Sequence, residues 1–153
     1  RTWFPEAIFL RLHRDPLSNA LSILRSRQAG QGGWLSTRPR ECLGVQEQGI
    51  HVEVAAQVYW LNRRLAWLEE DERTIHLSYE ALAADPNGTL QRFIDRANAC
   101  GLALSARKAL PASFDYRVAR RDDASDTSRL KEELDRLEVE HGRISAVKTK
   151  FCV

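Results

Sequence analysis

The sequence predicts a helix-rich α/β domain with parallel strands, and three observations support this fold class. Two short segments, 7–13 and 74–79, alternate apolar and polar side chains as β-strands do. Asp-Pro pairs at 15–16 and 85–86 mark the starts of helices that follow these strands. A long segment with helical periodicity lies between them. Strands that alternate with helices along the chain are typical of parallel sheets, whose ligands bind beyond the carboxyl ends of the strands.

Length and composition limit the classes of function. The 153 residues fit one domain with a single core, and 43% hydrophobic and 29% charged residues are ordinary for a globular protein. The net charge of +2 is too small to indicate a nucleic-acid binder. No apolar run approaches the roughly 20 residues that span a membrane, and no signal peptide precedes the first strand. We therefore expect a cytoplasmic protein that binds neither nucleic acid nor membrane.

The cysteines and histidines show no pattern of a disulfide framework or a metal site. The three cysteines are odd in number and widely spaced, which indicates reduced thiols. None of the four histidines has a ligand spacing such as HxxxH, so we predict no metal site. These residues are Cys42, Cys100, Cys152, His13, His51, His76 and His141.

The first predicted strand, 7–13, has one apolar face and one mixed face. The apolar face carries Ile8, Leu10 and Leu12, and the other carries Phe9, Arg11 and His13. Arg11 leaves open whether the strand is central or near an edge of the sheet. Asp15 is a good N-cap for a helix that begins at Pro16. Its apolar stripe, predicted to pack on the sheet, consists of Leu17, Ala20, Leu21 and Leu24.

The segment 28–49 is irregular and is punctuated by five glycines and Pro39, with Trp34 as its large apolar anchor. A loop of this length inside a domain is usually functional or mobile. Two interpretations therefore stay open, a substrate-facing lid and a disordered connector.

Helices are predicted on both sides of the second strand. The segment 50–71 has the longest helical periodicity, on a face formed by Val54, Val58, Leu61, Leu65 and Leu68. The strand 74–79 is followed by a short helical turn. Asp85 and Pro86 then start a helix that runs through about Ala99 and stops at Gly101. Its predicted core-facing residues are Leu90, Phe93, Ile94 and Ala97.

The character of the chain changes after Leu104. A basic cluster of Arg117, Arg120 and Arg121 precedes a highly charged helix at 125–139. That helix carries a narrow stripe typical of a surface helix docked on a domain, formed by Leu130, Leu134 and Leu137. We predict a single domain over 1–153, with a core at about 7–104 and a peripheral extension at 105–153.

Arg14 and Ser22 are the candidate anion-binding residues. Arg14 leaves the first strand at the ligand edge of the sheet, and Ser22 follows eight residues later on the helix. A guanidinium can donate two hydrogen bonds to one phosphate, and a hydroxyl can add a third. The strand-to-helix turn is also a common place for a phosphate. The alternative is a surface Arg14 that pairs with Asp15, and a Ser22 on the solvent side of the helix.

The segment FLRLHRDPLSNALS resembles the 3′-phosphate-binding element of PAPS-dependent sulfotransferases, and HLSYEALAADPNGTLQRFI resembles a second element of that family. The resemblance covers roughly 8–101. It implies that Arg14 and Ser22 bind the 3′-phosphate of PAPS (3′-phosphoadenosine 5′-phosphosulfate), the sulfuryl donor. In cytosolic members a nucleotide-contacting Tyr precedes the Tyr-Glu pair by twenty residues. Tyr59 and Tyr79 keep this separation, which implies that Tyr59 contacts the nucleotide.

The resemblance also implies part of a P-loop-type three-layer α/β/α domain, but other elements of the family pattern are missing. The sequence has no Lys/Arg-x-Gly-(Ser/Thr)-Thr segment to bind the 5′-phosphosulfate. No residue is assigned as the catalytic base. Arg117, Arg120 and Arg121 are either the counterpart of the family's basic loop on the 3′-phosphate or a solvated charge run.

We therefore interpret the chain, which begins without Met, as the C-terminal part of a sulfotransferase. The whole enzyme would transfer a sulfuryl group from PAPS to a hydroxyl or amine of an unidentified small molecule, carbohydrate or peptide. Alone, the chain is expected to bind nucleotide weakly and not to turn over. The alternative is a non-catalytic α/β interaction domain with a degenerate nucleotide site, docking through its 125–139 helix. A third alternative is another P-loop-type transferase, such as a kinase. The sequence does not favour it, because no Walker lysine is evident.

Overall fold

Two parallel strands form the sheet in the part of the chain that the structure describes. This structure is a computed structural model that describes residues 4, 6–31, 34, 36–45, 47–66, 68, 71–114 and 124–143. Strand β1 is Phe9–His13 and strand β2 is Thr74–Ser78. They pair in register from Phe9 opposite Thr74 to His13 opposite Ser78. The predictions of a helix-rich α/β fold and of parallel strands are confirmed; the three-layer arrangement stays a prediction.

On β1, the apolar face is exposed and the face that carries Arg11 is the more buried one. Arg11 is 5% exposed, whereas Leu10 and Leu12 are 54% and 53% exposed. Their neighbours on β2, Ile75 and Leu77, are both buried. In this part of the chain, only β2 therefore covers its apolar side chains. The alternation in the sequence identified the two faces but not which of them is covered.

The described chain divides into two compact units, 4–14 with 68–114 and 15–66 with 124–143. The first unit contains the sheet and the helices α3 (Tyr79–Ala84) and α4 (Pro86–Ala99), both of which pack on β2. The Asp85 side chain accepts a 2.9 Å hydrogen bond from the Gly88 amide at the start of α4. Just beyond α4, Gly101 has a φ of 93°, the left-handed conformation that a helix stop requires. Both predicted helix signals are confirmed.

The second unit is built on the three helices α1 (Pro16–Ser26), α2 (Ile50–Leu65) and α5 (Ala124–His141). Each of these helices packs on the other two. α2 ends at Leu65, earlier than the periodicity to residue 71 predicted, and Leu65 itself is exposed. The leucine stripe predicted on the last helix is buried in this core. The core consists of Ala20, Leu21, Leu24, Cys42, Val54, Ala55, Ala56, Val58, Tyr59, Leu130, Leu134 and Leu137.

The described part of the 28–49 loop is packed against this core. Trp34 stacks with two guanidinium groups, whose Cζ atoms lie 5.4 Å (Arg27) and 4.5 Å (Arg38) from its ring centroid. A 3₁₀ helix at Arg40–Gly44 carries the buried Cys42. Burial raises the pKa of Cys42 to about 11, so its thiol stays protonated and unreactive at neutral pH. These contacts argue against the disordered connector and leave the substrate-facing lid as a prediction.

His51 and Asp126 join the amino-terminal ends of α2 and α5. The His51 Nε2 and Asp126 Oδ1 atoms lie 2.6 Å apart, and both side chains are largely buried. Gln28 donates to the other carboxylate oxygen of Asp126 at 3.3 Å. The hydrogen bond with His51 is the main reason that the pKa of Asp126 is lowered.

The Arg117, Arg120 and Arg121 cluster lies outside the described residues, so its predicted alternatives stay open.

Leu130→Ala should lower the free energy of unfolding by about 2–5 kcal/mol, because it leaves a cavity between α5 and the other two helices. Leu130 is completely buried, whereas Val139 on the same helix is 87% exposed. The matched control Val139→Ala should therefore change stability by less than about 0.5 kcal/mol. Urea unfolding followed by circular dichroism measures both values. Equal effects would show that α5 does not contribute its leucine stripe to the core.

Asp126→Asn should destabilise the protein at pH 6, and the difference from wild type should shrink as the pH falls. Because the pKa is lowered in the folded state, the ionised carboxylate stabilises the fold. That contribution is present above the ordinary carboxyl pKa of about 3.9 and is lost as the pH falls through the lower folded value. Chemical unfolding between pH 6 and 2.5 measures the difference. A constant difference, or an undiminished effect in a His51→Gln background, would contradict this role of the pair.

Candidate functional site

Arg14 and Tyr79 lie next to each other where the two strands end. β1 ends at His13 and β2 at Ser78, which are partners in the parallel register. Arg14 and Tyr79 are the residues that follow directly. Because the carboxyl ends of parallel strands share one edge of a sheet, both side chains start from the edge at which α/β proteins bind ligands.

The Arg14 guanidinium stacks over the Tyr79 ring, with its Cζ atom 4.8 Å from the ring centroid. This is a cation–π contact, in which the flat face of the guanidinium meets the negative face of the ring. The five N–H donors of arginine lie in the guanidinium plane, so stacking leaves them available at its edges. The buried Nε of Arg14 has no hydrogen-bond partner among the described residues. A buried cationic donor without an acceptor is costly, and an anionic ligand would compensate for it.

Tyr79 is fixed by the start of α3. Ser78 is the N-cap of this helix, and its Oγ accepts a 3.2 Å hydrogen bond from the Ala81 amide. The same hydroxyl donates to the Glu80 carboxylate at 2.8 Å. Tyr79 is therefore the first residue of a capped helix directly after a buried strand, and its backbone has little freedom.

Ser22 lies on α1 and belongs to the other unit. The helix begins as predicted, because Asp15 accepts a 2.7 Å hydrogen bond from the Ser18 amide and Pro16 occupies the first turn. Ser22 is half-buried and follows the buried Leu21. Its predicted contact with phosphate stays a prediction from the eight-residue spacing.

Tyr59 belongs to the second unit too, and its described contacts are those of a core residue. It is fully buried, and its hydroxyl donates a 2.7 Å hydrogen bond to the carbonyl of Gly142, just after α5. Its ring packs edge-on against Trp60 at a centroid distance of 5.0 Å. Burial raises the pKa of Tyr59, which keeps the hydroxyl protonated as a donor. Its predicted contact with the nucleotide gains no support from these contacts.

The sequence interpretation missed Tyr79 as part of the site. In the sequence, Tyr79 defines the twenty-residue separation from Tyr59 and belongs to the Tyr-Glu pair of the family pattern. Two signals could have identified the contact: the parallel strands and the position of both residues directly after a strand. If the two strands are adjacent and end in register, their next residues are neighbours.

The described residues outside this pair contain a groove and no cluster of metal ligands. A groove of about 300 Å³ lies between α4 and the segment that follows it. It shares no residue with the pair at the strand ends, and its lining consists of Asn87, Leu90, Gln91, Ala106, Arg107, Lys108 and Ala109. Within the described part of the chain, no group of three or more His, Cys, Asp or Glu residues could hold a metal ion.

Comparison with known proteins identifies the family. The model of the sulfotransferase family matches residues 1–104, which is 104 of the 153 residues. The chain belongs to the sulfotransferase family. The match includes the two sequence elements that resemble this family, together with Arg14 and Tyr79 at the ends of β1 and β2. No curated protein and no solved structure matches this sulfotransferase family member. None of its described helices has the length and apolar character needed to cross a membrane.

Tyr59→Phe should lower the free energy of unfolding by about 1 kcal/mol, because it removes the hydrogen bond that the buried Tyr59 side chain donates to the Gly142 carbonyl. The same variant should bind 3′-phosphoadenosine 5′-phosphate and 5′-AMP as the wild type does. Thermal unfolding and isothermal titration calorimetry measure the two effects. A parallel loss of affinity for both nucleotides in the fully folded variant would instead support the predicted contact of Tyr59 with adenosine.

Proposed function

We propose that the chain binds the 3′-phosphate of PAPS through Arg14, as part of an enzyme that transfers the sulfuryl group to an acceptor hydroxyl or amine. The family match supports sulfuryl transfer in general. The observation that carries the nucleotide assignment is the buried Nε donor of Arg14, which lies at the ligand edge of the sheet without a partner among the described residues.

The chemistry of Arg14 fits a phosphate monoester. A 3′-phosphate presents two or three oxygens with a charge between −1 and −2, and a guanidinium can donate to two of them at once. Hydrogen bonds to charged groups contribute roughly 1.5–3 kcal/mol each, which corresponds to about 10- to 150-fold in affinity. This one residue can therefore account for most of the preference for a 3′-phosphorylated nucleotide.

Ser22 and Tyr59 are the other nucleotide-binding residues that the resemblance implies. Ser22 would add a hydroxyl donor for the 3′-phosphate, on the basis of its spacing from Arg14. Tyr59 would line the adenosine pocket through its ring, because its hydroxyl donates to Gly142. Both assignments stay predictions.

Catalysis of sulfuryl transfer depends on positioning the donor and on neutralising charge at the leaving phosphate. Arg14 would contribute by holding the nucleotide at its 3′-phosphate, away from the reacting sulfur. No residue of this sequence is assigned to the 5′-phosphosulfate or to deprotonation of the acceptor. We therefore expect the 153-residue chain to bind nucleotide without turnover. The three-layer P-loop-type architecture, the cytoplasmic location and the nature of the acceptor belong to this proposal as well.

The alternative function, a non-catalytic interaction domain, depends on the leucine stripe of α5 as a docking surface. Leu130, Leu134 and Leu137 are buried against α1 and α2. Their stripe is therefore already covered within the chain. The described residues offer no observation in favour of this alternative, and the nucleotide-binding proposal is preferred.

Arg14→Ala should weaken binding of 3′-phosphoadenosine 5′-phosphate by about 10- to 150-fold and leave the affinity for 5′-AMP unchanged. The reason is that 5′-AMP lacks the phosphate that Arg14 contacts. Isothermal titration calorimetry on the 153-residue chain measures both affinities. Arg14→Lys should retain part of the selectivity, since lysine keeps the charge but not the two-pronged geometry.

The matched control is Arg129→Ala, which removes the same charge from an exposed position on α5. It should reproduce the wild-type ratio of the two affinities. Equal affinity of the wild-type chain for both nucleotides would refute the proposal. So would an unchanged ratio in Arg14→Ala.

A further inference from the structure

We infer that Tyr79 is a positioning residue that holds the Arg14 guanidinium in the plane in which it meets the 3′-phosphate. This inference rests on the function proposed above and extends it to a residue that the family match does not single out. It is carried by the stacking of the guanidinium over the Tyr79 ring at 4.8 Å. It would make Tyr79 a determinant of selectivity for nucleotides with a phosphate at the 3′ position.

The arginine side chain is flexible before it meets a ligand. Arginine has four rotatable bonds, and ordering them at the moment of binding costs affinity. A contact that orders the side chain in advance removes part of that cost. The Tyr79 ring provides such a contact on one face of the guanidinium, and stacking does not use the donors at its edges.

The backbone of Tyr79 is itself rigidly placed. The parallel register puts Arg14 and Tyr79 one residue beyond the last strand pair, His13 and Ser78. Adjacent strands are held about 4.8 Å apart by their backbone hydrogen bonds. The cap from Ser78 to the Ala81 amide then fixes the first turn of α3, in which Tyr79 lies. The backbone that carries the ring is therefore fixed.

The Tyr79 ring contacts the face of the Arg14 guanidinium and not the donors at its edges. A ring over the guanidinium face cannot accept from the N–H groups at the guanidinium edge, because these lie in the plane. The Nε donor of Arg14 is buried and has no partner in the described part of the chain. Stacking thus orients the arginine without satisfying its donors. This arrangement suits a residue whose acceptor is supplied by a ligand.

The decisive experiment compares Tyr79→Leu, Tyr79→Phe and the double variant Tyr79→Leu with Arg14→Ala. Each is titrated with 3′-phosphoadenosine 5′-phosphate and with 5′-AMP. Tyr79→Leu should weaken binding of the first nucleotide by about 3- to 30-fold, the range of a cation–π contact. Its affinity for 5′-AMP should not change. Tyr79→Phe keeps the ring face and should retain the wild-type ratio, whereas Tyr79→Leu should have no further effect on the ratio when Arg14 is alanine.

The outcomes separate this inference from the proposed function. Equal affinities in the wild-type chain would remove the 3′-phosphate site altogether. Selectivity that depends on Arg14 but survives Tyr79→Leu would overturn the role of Tyr79 alone. A parallel loss for both nucleotides would show that the ring is only structural. Phe93→Leu, which removes a half-buried aromatic ring from α4 of the same unit, is the matched control and should keep the wild-type ratio.

Nuclear magnetic resonance decides the question if Tyr79→Leu does not fold. The ring current of Tyr79 should shift the Arg14 Nε–H resonance of the wild-type chain upfield. The resonance is assigned by its loss in Arg14→Lys. It should move again on addition of 3′-phosphoadenosine 5′-phosphate and not on addition of 5′-AMP. A resonance at the position of solvent-exposed arginines would overturn the stacking on which the inference rests.

Discussion

Parallel pairing between β1 and β2 is the constraint on which the candidate site depends. Sixty residues, 14–73, separate the end of β1 at His13 from the start of β2 at Thr74. Parallel strands end at the same edge, so pairing alone brings the residues that follow His13 and Ser78 together. A shift of register by one residue would also move every side chain of β1 to the opposite face. The contact between Arg14 and Tyr79 is thus a consequence of register.

Much of the fold could be predicted because the signals are local. The Asp-Pro pairs and Gly101 act through backbone geometry within one turn, and the structure contains both caps and the stop. Burial is not local. Alternation separates Leu10 from Arg11, but the side of the strand that is covered depends on residues distant in the chain. In the same way, a narrow leucine stripe does not distinguish a surface helix from α5, which packs against two other helices.

In the candidate site, too, the residue with local signals could be predicted, and the residue that depends on strand pairing could not. Arg14 was identified because its charge, its place after a strand and its resemblance to a phosphate-binding element all agree. Tyr79 could be recognised only through the pairing of two strands, which neither segment shows by itself. For Tyr59 the sequence offers a spacing of twenty residues, which carries no information about burial. Its hydroxyl donates to Gly142, on a segment outside the family match.

Stacking and anion binding are compatible in one arginine because they use different parts of the guanidinium. The face is weakly hydrated and pairs with an aromatic ring, whereas the edges carry the N–H donors and need acceptors. A lysine at position 14 could not divide its interactions in this way, because its ammonium is a compact point charge. An arginine at the end of β1 beside a tyrosine at the end of β2 is therefore better suited to a fixed, directional contact with phosphate than to an exposed ion pair, which would contribute little.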